Sequence, residues 1–288
     1  MNMINQHKIY QIRSRTIYLY HNSHSYWQMP HLRSIEGVVA LKRYVDNWPS
    51  VLMVYSGIKR STIVKFKDGM AIKLRKQYPF DFYGEIYQKY LEDNGFVCLQ
   101  QEDGKIIVQS PKGYRIKVLS KVNLHVIDEI FLMQSYGKPK LSDRPVIDVG
   151  CSYCDSAIYF VSCDAIHVYG YDPNMERYKL GLENIAINNL NNKITLYNEV
   201  ATADKINALI KEKDLHDVFM KIDCEGCEYE LIKGLSLSQI TEIALEYHHE
   251  AKPLSDLLKA NGFKVKTRKE IIVASRNSNT AHQAGRNI

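Results

Sequence analysis

From about residue 144 onward, short apolar runs alternate with longer segments whose apolar residues recur every three or four positions. The short runs are typical of buried strands, and the longer segments have the period of amphipathic helices. The predicted strands are 146–148, 166–171, 193–197, 218–222, 242–246, 263–266 and 271–274, and the predicted helices are 156–162, 173–186, 203–213, 227–233 and 253–261. Repeated strand–helix units predict a doubly wound α/β fold with a mostly parallel sheet, in which the closing pair adds one antiparallel strand.

The first 125 residues follow a different pattern. Asp68-Gly69 separates two alternating runs, which is a strong hairpin signal. The strands predicted here are 62–67, 71–75, 96–100, 105–109 and 114–118, and the helices are 36–47 and 84–93, whereas the first thirty residues show no period. We therefore expect an α+β, mainly β accessory module over 1–125, the α/β domain over 126–275, and a polar, disordered tail over 276–288.

Charge and hydropathy indicate the kind of partner and the cellular location to expect. The net charge is +6, from 38 Lys plus Arg against 32 Asp plus Glu, and much of the excess lies in the first 120 residues. A solvated basic face explains this best, and an anionic partner such as nucleic acid is the alternative. There is no apolar run of 18 residues, and the N-terminus lacks the apolar core of a secretory signal, so we expect no membrane span and a cytoplasmic location.

Polar residues follow the first two strands of the α/β domain, where ligands bind in such sheets. The first strand ends at Asp148, and Gly150 would let the backbone turn tightly and approach a ligand before a helix that presents free N–H groups. The second strand ends at Asp172-Pro173, and this carboxylate could accept hydrogen bonds from both hydroxyls of a ribose. A plain turn at Gly150 and a helix cap at Asp172 are the structural alternatives.

The glycine pattern separates two kinds of nucleoside cofactor. A dinucleotide needs Gly-x-Gly-x-x-Gly, so that the backbone can close on its pyrophosphate. Only one glycine is present here, and Cys154 stands where another is expected. The sequence therefore favours a cofactor without phosphates, such as S-adenosyl-L-methionine, over NAD.

A second polar group follows the fourth and fifth strands. Asp223, Glu225 and Glu228 fall within six residues, and such carboxylates need a cation, a hydrogen-bonding substrate or open water. The fifth strand ends in Glu246-Tyr247-His248-His249, where a histidine could accept a proton near neutral pH. The alternatives are first-turn acids stabilised by a helix dipole and purely structural histidines.

These residues resemble the FkbM-type S-adenosylmethionine-dependent methyltransferases. The similar segments, in order, are 146–150 (Val-Ile-Asp-Val-Gly), 171–173 (Tyr-Asp-Pro), 184–189, 221–228 (Lys-Ile-Asp-Cys-Glu-Gly-Cys-Glu) and 245–248 (Leu-Glu-Tyr-His), within roughly residues 130–266. Three positions differ from the family pattern: Cys154 replaces the second glycine, Cys151 an alanine, and Asp172 a glutamate.

The resemblance implies a Rossmann-like, seven-stranded methyltransferase sheet and transfer of a methyl group from S-adenosyl-L-methionine to a hydroxyl oxygen. Acceptors would be sugars, lipid-linked compounds or small molecules. The implied cofactor-binding residues are Asp148, Gly150, Cys151, Asp172, Pro173, Asn198 and Asp223, and the implied catalytic residues are Asp223, Glu225 and His248. A hydroxyl acceptor requires alignment and removal of its proton, and which of the three accepts that proton is left open.

Two Cys-x-x-Cys pairs, Cys151/Cys154 and Cys224/Cys227, coincide with these motifs. The first and fourth strands would be neighbours, so four thiolates could bind zinc or an iron–sulfur cluster, or the loops could share a disulfide. Neutral packing of small side chains is the favoured interpretation, and no metal is expected.

Two other functions are compatible with this sequence. One is a catalytically degenerate, methyltransferase-like module that binds RNA or an anionic partner, and the other is an RNA methyltransferase. Nucleic acid is not favoured as an acceptor, because the chain contains neither Asn-Pro-Pro-Tyr nor Asp-Pro-Pro-Tyr and lacks the paired catalytic cysteines used on pyrimidine carbon.

Overall fold

A computed structural model describes residues 9–12, 15–18, 41–75, 80–101, 103–268 and 270–276. The chain divides into two compact units, residues 1–78 and 79–288. The elements of the first unit are β1 (Ile9–Ile12), β2 (Arg15–Tyr18), α1 (Trp48–Tyr55), β3 (Ser61–Lys65) and β4 (Ala71–Arg75). Strands β1 and β2 pair antiparallel, and so do β3 and β4, which confirms the hairpin predicted around Asp68-Gly69.

The predicted helix 36–47 differs from the structure. Residues 41–44 are helical, residues 36–40 lie outside the described part, and α1 begins at Trp48 as a separate helix. Asn47 accounts for the break, because its side chain donates to the carbonyl oxygen of Ile63 and accepts from the N–H of Lys65 at 2.7 and 2.8 Å. Asn47 thus pairs with strand β3 in place of continuing a helix.

The second unit begins with helix α2 and a small sheet. Its first elements are α2 (Phe80–Asp93), β5 (Val97–Gln100), β6 (Ile106–Gln109), β7 (Arg115–Val118), a 3₁₀ turn (Lys121–Asn123), α3 (Leu124–Ile127) and a π-helical turn (Asp128–Leu132). The remaining elements are β8 (Pro145–Val149), α4 (Asp155–Ser162), β9 (His167–Tyr171), α5 (Met175–Ile187), β10 (Ile194–Tyr197), α6 (Ala203–Glu212), β11 (Val218–Ile222), α7 (Glu228–Gly234), a 3₁₀ turn (Leu237–Gln239), β12 (Ile240–Glu246), α8 (Ala251–Ala260), β13 (Lys264–Arg268) and β14 (Ile271–Ser275).

Seven of these strands form one sheet in the order β10-β9-β8-β11-β12-β14-β13. Strands β8 to β12 are parallel to one another, and β14 is antiparallel to both β12 and β13. This is the Rossmann-like, doubly wound, seven-stranded sheet predicted from the sequence, with the first and fourth strands adjacent. Every residue of β8 and β11 is buried because helices cover both faces of the sheet. None of the described helices is long and apolar enough to cross a bilayer.

The small sheet β5–β7 belongs to the second unit. The first compact unit therefore ends at residue 78, whereas the sequence predicts an accessory module that ends at residue 125. Asn184 of α5 supplies the link: its amide donates to the carbonyl oxygens of Lys117 and Tyr153 and accepts from the N–H of Lys117. Asn188 exchanges two further bonds with the backbone of Arg115. These side-chain amides form the hydrogen bonds that an adjacent strand would otherwise make with the edge strand β7.

Two boundaries need correction. Pro173 lies outside helix α5, which begins at Met175 after Asn174, whose side chain caps it by accepting from the N–H groups of Glu176 and Arg177 at 3.0 Å. Arg276, which the sequence places in the disordered tail, continues the pairing of β14 with β12 through a bond from its N–H to the carbonyl oxygen of Thr241. Residues 277–288 lie outside the described residues.

Candidate active site

The turn after β8 passes very close to the loop after β11. Gly150 has a φ of +74°, and a Cβ there would overlap the carbonyl oxygen of Asp223. The N–H groups of Gly150 and Cys151 both donate to the carbonyl oxygen of Tyr171, at 2.9 and 3.1 Å. Only glycine fits this crossing, which joins the ends of three adjacent strands.

The same turn holds two non-glycine residues in the left-handed region, Ser152 (φ +50°) and Cys154 (φ +66°). Such conformations cost about 1–3 kcal/mol each and cluster at functional sites. Cys154 therefore adopts the conformation for which a glycine was expected, and it stands directly before helix α4.

Asp148, the last polar residue of β8, is fully buried. Its Oδ2 accepts from the hydroxyl of Ser156 at 2.6 Å, and its Oδ1 lies 3.3 Å from Nζ of Lys221. Burial raises the pKa of Asp148, and burial raises the pKa of Asp155, at the start of α4, to about 7. Asp148 therefore lies beneath the turn and contacts Ser156 and Lys221 on either side of it.

Lys221 of β11 is the buried cation of this site, with 2 % of its side chain exposed. Its Nζ donates to the carbonyl oxygen of Gly150 at 2.6 Å and lies 3.8 Å from Oδ2 of Asp223. Burial opposes its charge, but the carboxylates of Asp148 and Asp223 outweigh that effect and raise the pKa of Lys221. Lys221 thus holds the β8 turn and the β11 loop together in its charged form.

Asp172 follows β9 and is also buried. Its Oδ1 accepts from the N–H of Asn174 at 2.8 Å, and Arg177 lies 3.9 Å from its Oδ2. Burial raises the pKa of Asp172, while N–H groups of Asn174 and Ser152 oppose the rise. Asn198, after β10, donates to the carbonyl oxygen of Asp172 at 3.0 Å, so it fixes this corner through the backbone. Each carboxylate oxygen has two lone pairs, and Asp172 therefore retains acceptor capacity for a hydroxyl.

The three predicted catalytic residues lie together. Nε2 of His248 is 3.9 Å from Oδ1 of Asp223 and 3.5 Å from Oε2 of Glu225. Its Nδ1 forms a 2.8 Å hydrogen bond with Oε1 of Glu228, which is nearly fully buried. That bond, with the charges of Glu225, Glu228 and Asp223, raises the pKa of His248 to about 9 against the effect of burial. This raised pKa favours the protonated imidazole at neutral pH, so a role as proton acceptor would grow as the pH rises.

Tyr136 completes the acidic side of the site. Its hydroxyl lies 3.1 Å from Oδ2 of Asp223 and 3.3 Å from Oε2 of Glu246, and its ring lies under Nζ of Lys221. Burial, reinforced by neighbouring carboxylates, raises the pKa of Glu246 to about 8 and that of Glu129 to about 7. This side of the site therefore holds several carboxyl groups, and some of them are protonated at neutral pH.

The two cysteine pairs differ from each other in the structure. Cys151 and Cys154 are free and fully buried, and burial raises the pKa of Cys151 far above its usual value, which agrees with neutral packing. Cys224 and Cys227 form a disulfide with each other, so the bond stays within one loop and does not join the two. This bond encloses Glu225 (φ +57°) and Gly226 (φ +114°).

Ligand atoms of Asp223, Glu225 and His248 lie within 4.8 Å of one another, a spacing that could accommodate a metal ion. Exposed acidic groups commonly have this spacing without an ion.

The sequence indicated candidate residues in four of the five similar segments and gave no role to three supporting residues, Lys221, Glu246 and Tyr136. Lys221 and Glu246 lie inside these segments, directly beside residues with a more obvious chemical role. Tyr136 lies in the non-periodic segment before β8, where no local signal indicates a role. A lysine inside an otherwise apolar strand was the available clue, because a buried Lys requires acidic partners.

No protein-family model matches this chain, and no curated protein matches its sequence. Among solved structures, TrmK of M. capricolum in complex with S-adenosyl-homocysteine is similar at 17% identity and a TM-score of 0.40, over 51% of this chain and 67% of that one. A precorrin-6y C5,15-methyltransferase from Geobacter metallireducens is similar at 16% identity and a TM-score of 0.38, over 56% and 90%. An O-methyltransferase family protein from Burkholderia thailandensis is similar at 9% identity and a TM-score of 0.41, over 55% and 57%. These likenesses concern the fold and do not identify a reaction.

Proposed function

We propose that the second unit is an S-adenosyl-L-methionine-dependent methyltransferase that methylates a hydroxyl oxygen, similar to the FkbM-type enzymes. The observation that carries the proposal is the meeting of polar groups from four adjacent strands at one sheet edge. Asp172 follows β9, Gly150 follows β8, Asp223 follows β11, and His248 follows β12. Such an edge is where doubly wound sheets bind ligands.

The residues at the β8 and β9 ends fit this cofactor. The turn has one glycine and two tightly buried cysteines, so it lacks the cradle that a pyrophosphate needs, whereas a sulfonium nucleoside does not need one. Asp172 would accept from a ribose hydroxyl with its remaining lone pairs, beside Pro173, and Gly150 and Cys151 would line the methionine side. Asn198 would hold the adenine corner through Asp172. When bound, the cofactor supplies an electrophilic methyl group.

The β11 and β12 ends would hold the acceptor. Asp223 and Glu225 would position a hydroxyl group, because carboxylates accept hydrogen bonds from it, and Nε2 of His248 faces both. Glu228 orients the imidazole through Nδ1, as the acidic partner does in other histidine bases. His248 would then take the hydroxyl proton, and its pKa of about 9 means that transfer accelerates as the pH rises toward 9.

The acceptor side favours a polyhydroxylated compound. Asp223, Glu225 and Glu246 present carboxyl groups at one mouth, and Tyr136 ties two of them in place. Several hydroxyls of a sugar, free or lipid-linked, would satisfy this set without a metal ion. This supports a glycan or a small polyol as the methyl acceptor.

Two measurements test the proposal. Isothermal titration with S-adenosyl-L-methionine should show binding, and the Asp172→Ala variant should bind more weakly; absence of binding to the unmodified protein would contradict the cofactor assignment. Incubation with methyl-labelled donor and fractionated extract should then label a glycan fraction. His248→Asn should abolish that labelling, while His216→Asn, at an exposed position before the start of β11, serves as the matched control.

A further inference from the structure

The positive charge of this chain is concentrated in residues 41–75. Eight Lys or Arg and two Asp there give a net charge of +6, which equals that of the whole chain, so the rest of the chain sums to zero. Six of the eight cations are exposed and form no ion pair within the part of the chain that the structure describes: Lys59, Arg60, Lys65, Lys67, Lys73 and Arg75. Local asymmetry of this kind indicates an anionic partner.

The hairpin of β3 and β4 presents part of this charge on one open face. Val64 and Leu74 point to the buried face, so the alternate residues of both strands point outward. The open face carries Lys65, Lys73 and Arg75, and it has no acidic residue among its strand positions. Ile63 lies directly opposite Lys73 in the register, in the middle of the cations.

Exposed aliphatic side chains accompany these cations. Ile58 is 75% exposed and Ile63 is 58% exposed, and these are the two most exposed large hydrophobic side chains among the described residues. Lys59 and Arg60 follow the first, and Lys65 lies two positions after the second. Exposed apolar groups rimmed by charge mark sites of interaction.

A lipid surface would bind both the exposed cations and the exposed aliphatic side chains, whereas a nucleic acid would bind only the cations. Phosphate backbones attract cations, but they offer nothing to Ile58 or Ile63, and the strand positions of the open face hold no aromatic ring on which a base could stack. An anionic bilayer surface attracts Lys and Arg, and its headgroup region takes up apolar side chains.

We propose that residues 58–75 dock this protein peripherally onto an anionic lipid surface. The cations contact the headgroups, and Ile58 and Ile63 enter the headgroup–acyl boundary. The surface acts independently of methyl transfer, since it lies in the first unit and uses none of the residues placed in the candidate active site.

Sedimentation of the full chain with vesicles tests this directly. The chain should bind vesicles that contain phosphatidylglycerol and should not bind pure phosphatidylcholine, and added salt should weaken the binding. The double variant Lys65→Gln/Lys73→Gln should lower the partition coefficient about 25-fold, at about 1 kcal/mol per removed charge. The matched control is Lys264→Gln/Lys266→Gln, which removes two exposed charges from β13.

The apolar contribution has its own pair of variants. Ile58→Ser/Ile63→Ser should also weaken binding to anionic vesicles, while Ile166→Ser, at a residue 49% exposed in the second unit, should leave it unchanged. Circular dichroism checks that all variants fold. Equal losses in the controls, no binding to anionic vesicles, or binding to an RNA oligonucleotide in their place would overturn the proposal.

Discussion

The hydrogen bond between His248 and Glu228 predicts that this imidazole stays protonated through the neutral pH range. Nδ1 and Oε1 are 2.8 Å apart, and the pKa of His248 is raised from 6.5 to about 9. At about 1.4 kcal/mol per pKa unit, and after a discount for the 25% of the side chain that water reaches, the protonated form gains about 1–2 kcal/mol from its partners.

Replacing Glu228 with glutamine keeps the shape of the side chain and removes its charge. We expect the pKa of His248 to fall by about one unit, because the shortest of its three carboxylate contacts is lost. Glu225→Gln is the matched control: that side chain is 75% exposed and lies 3.5 Å away, so its loss should lower the pKa less. Imidazole NMR signals followed between about pH 5 and about pH 11, with His248→Asn for assignment, give the values.

The sign of the linked stability follows from the raised pKa. The pair stabilises the folded chain fully below pH 6.5, and this contribution is lost as the pH rises through about 9. Glu228→Gln should therefore lower the free energy of unfolding at pH 6 and have a smaller effect at pH 10. A wild-type His248 that titrates at or below 6.5, or an equal effect of both glutamine variants, would refute this reasoning.

Three further changes have defined outcomes. Gly150→Ala should destabilise the chain by about 2–5 kcal/mol in urea unfolding, because its Cβ overlaps Asp223, while Gly262→Ala, with a φ of +83° and open space, should cost only about 1–2 kcal/mol. Asp172→Ala should weaken binding of S-adenosyl-L-methionine by about 1.5–3 kcal/mol in calorimetry, and unchanged affinity would contradict the ribose assignment. Reduction of the Cys224–Cys227 bond should slow methyl transfer and leave cofactor affinity unchanged, because the bond constrains only the acceptor loop; an unchanged rate would rule out that role.

The order of strands was predictable because buried parallel strands and amphipathic helices each have a local pattern. The seven strands of the large sheet lie within one or two residues of their predicted bounds, as at Val218–Ile222. The place of β5–β7 was not predictable, since it depends on Asn184 and Asn188, which are distant in sequence from β7. An asparagine inside a helix gives no local sign that its amide serves a strand edge.

Some residues of the candidate site were likewise predictable from the sequence and others were not. Residues at strand ends, such as Asp172 and His248, could be placed because parallel strands end at one edge of the sheet. Tyr136 and Glu129 could not, since they come from a segment without a period and enter the site only through tertiary packing. The charge state of His248 was likewise outside the reach of sequence, because it depends on the 2.8 Å contact with Glu228.

The two cysteines of the β8 turn pack against glycines of neighbouring elements. Cys154 keeps the left-handed φ of +66°, and its Sγ occupies space beside Gly181, where an added Cβ would lie 3.1 Å away. Cys151 likewise fills the space beside Gly170, where a Cβ would lie 2.9 Å from its Sγ. Gly170 of β9 and Gly181 of α5 therefore leave room for the side chains of Cys151 and Cys154. The space that the side chains of this turn need is thus provided by residues 19 and 27 positions further along the chain.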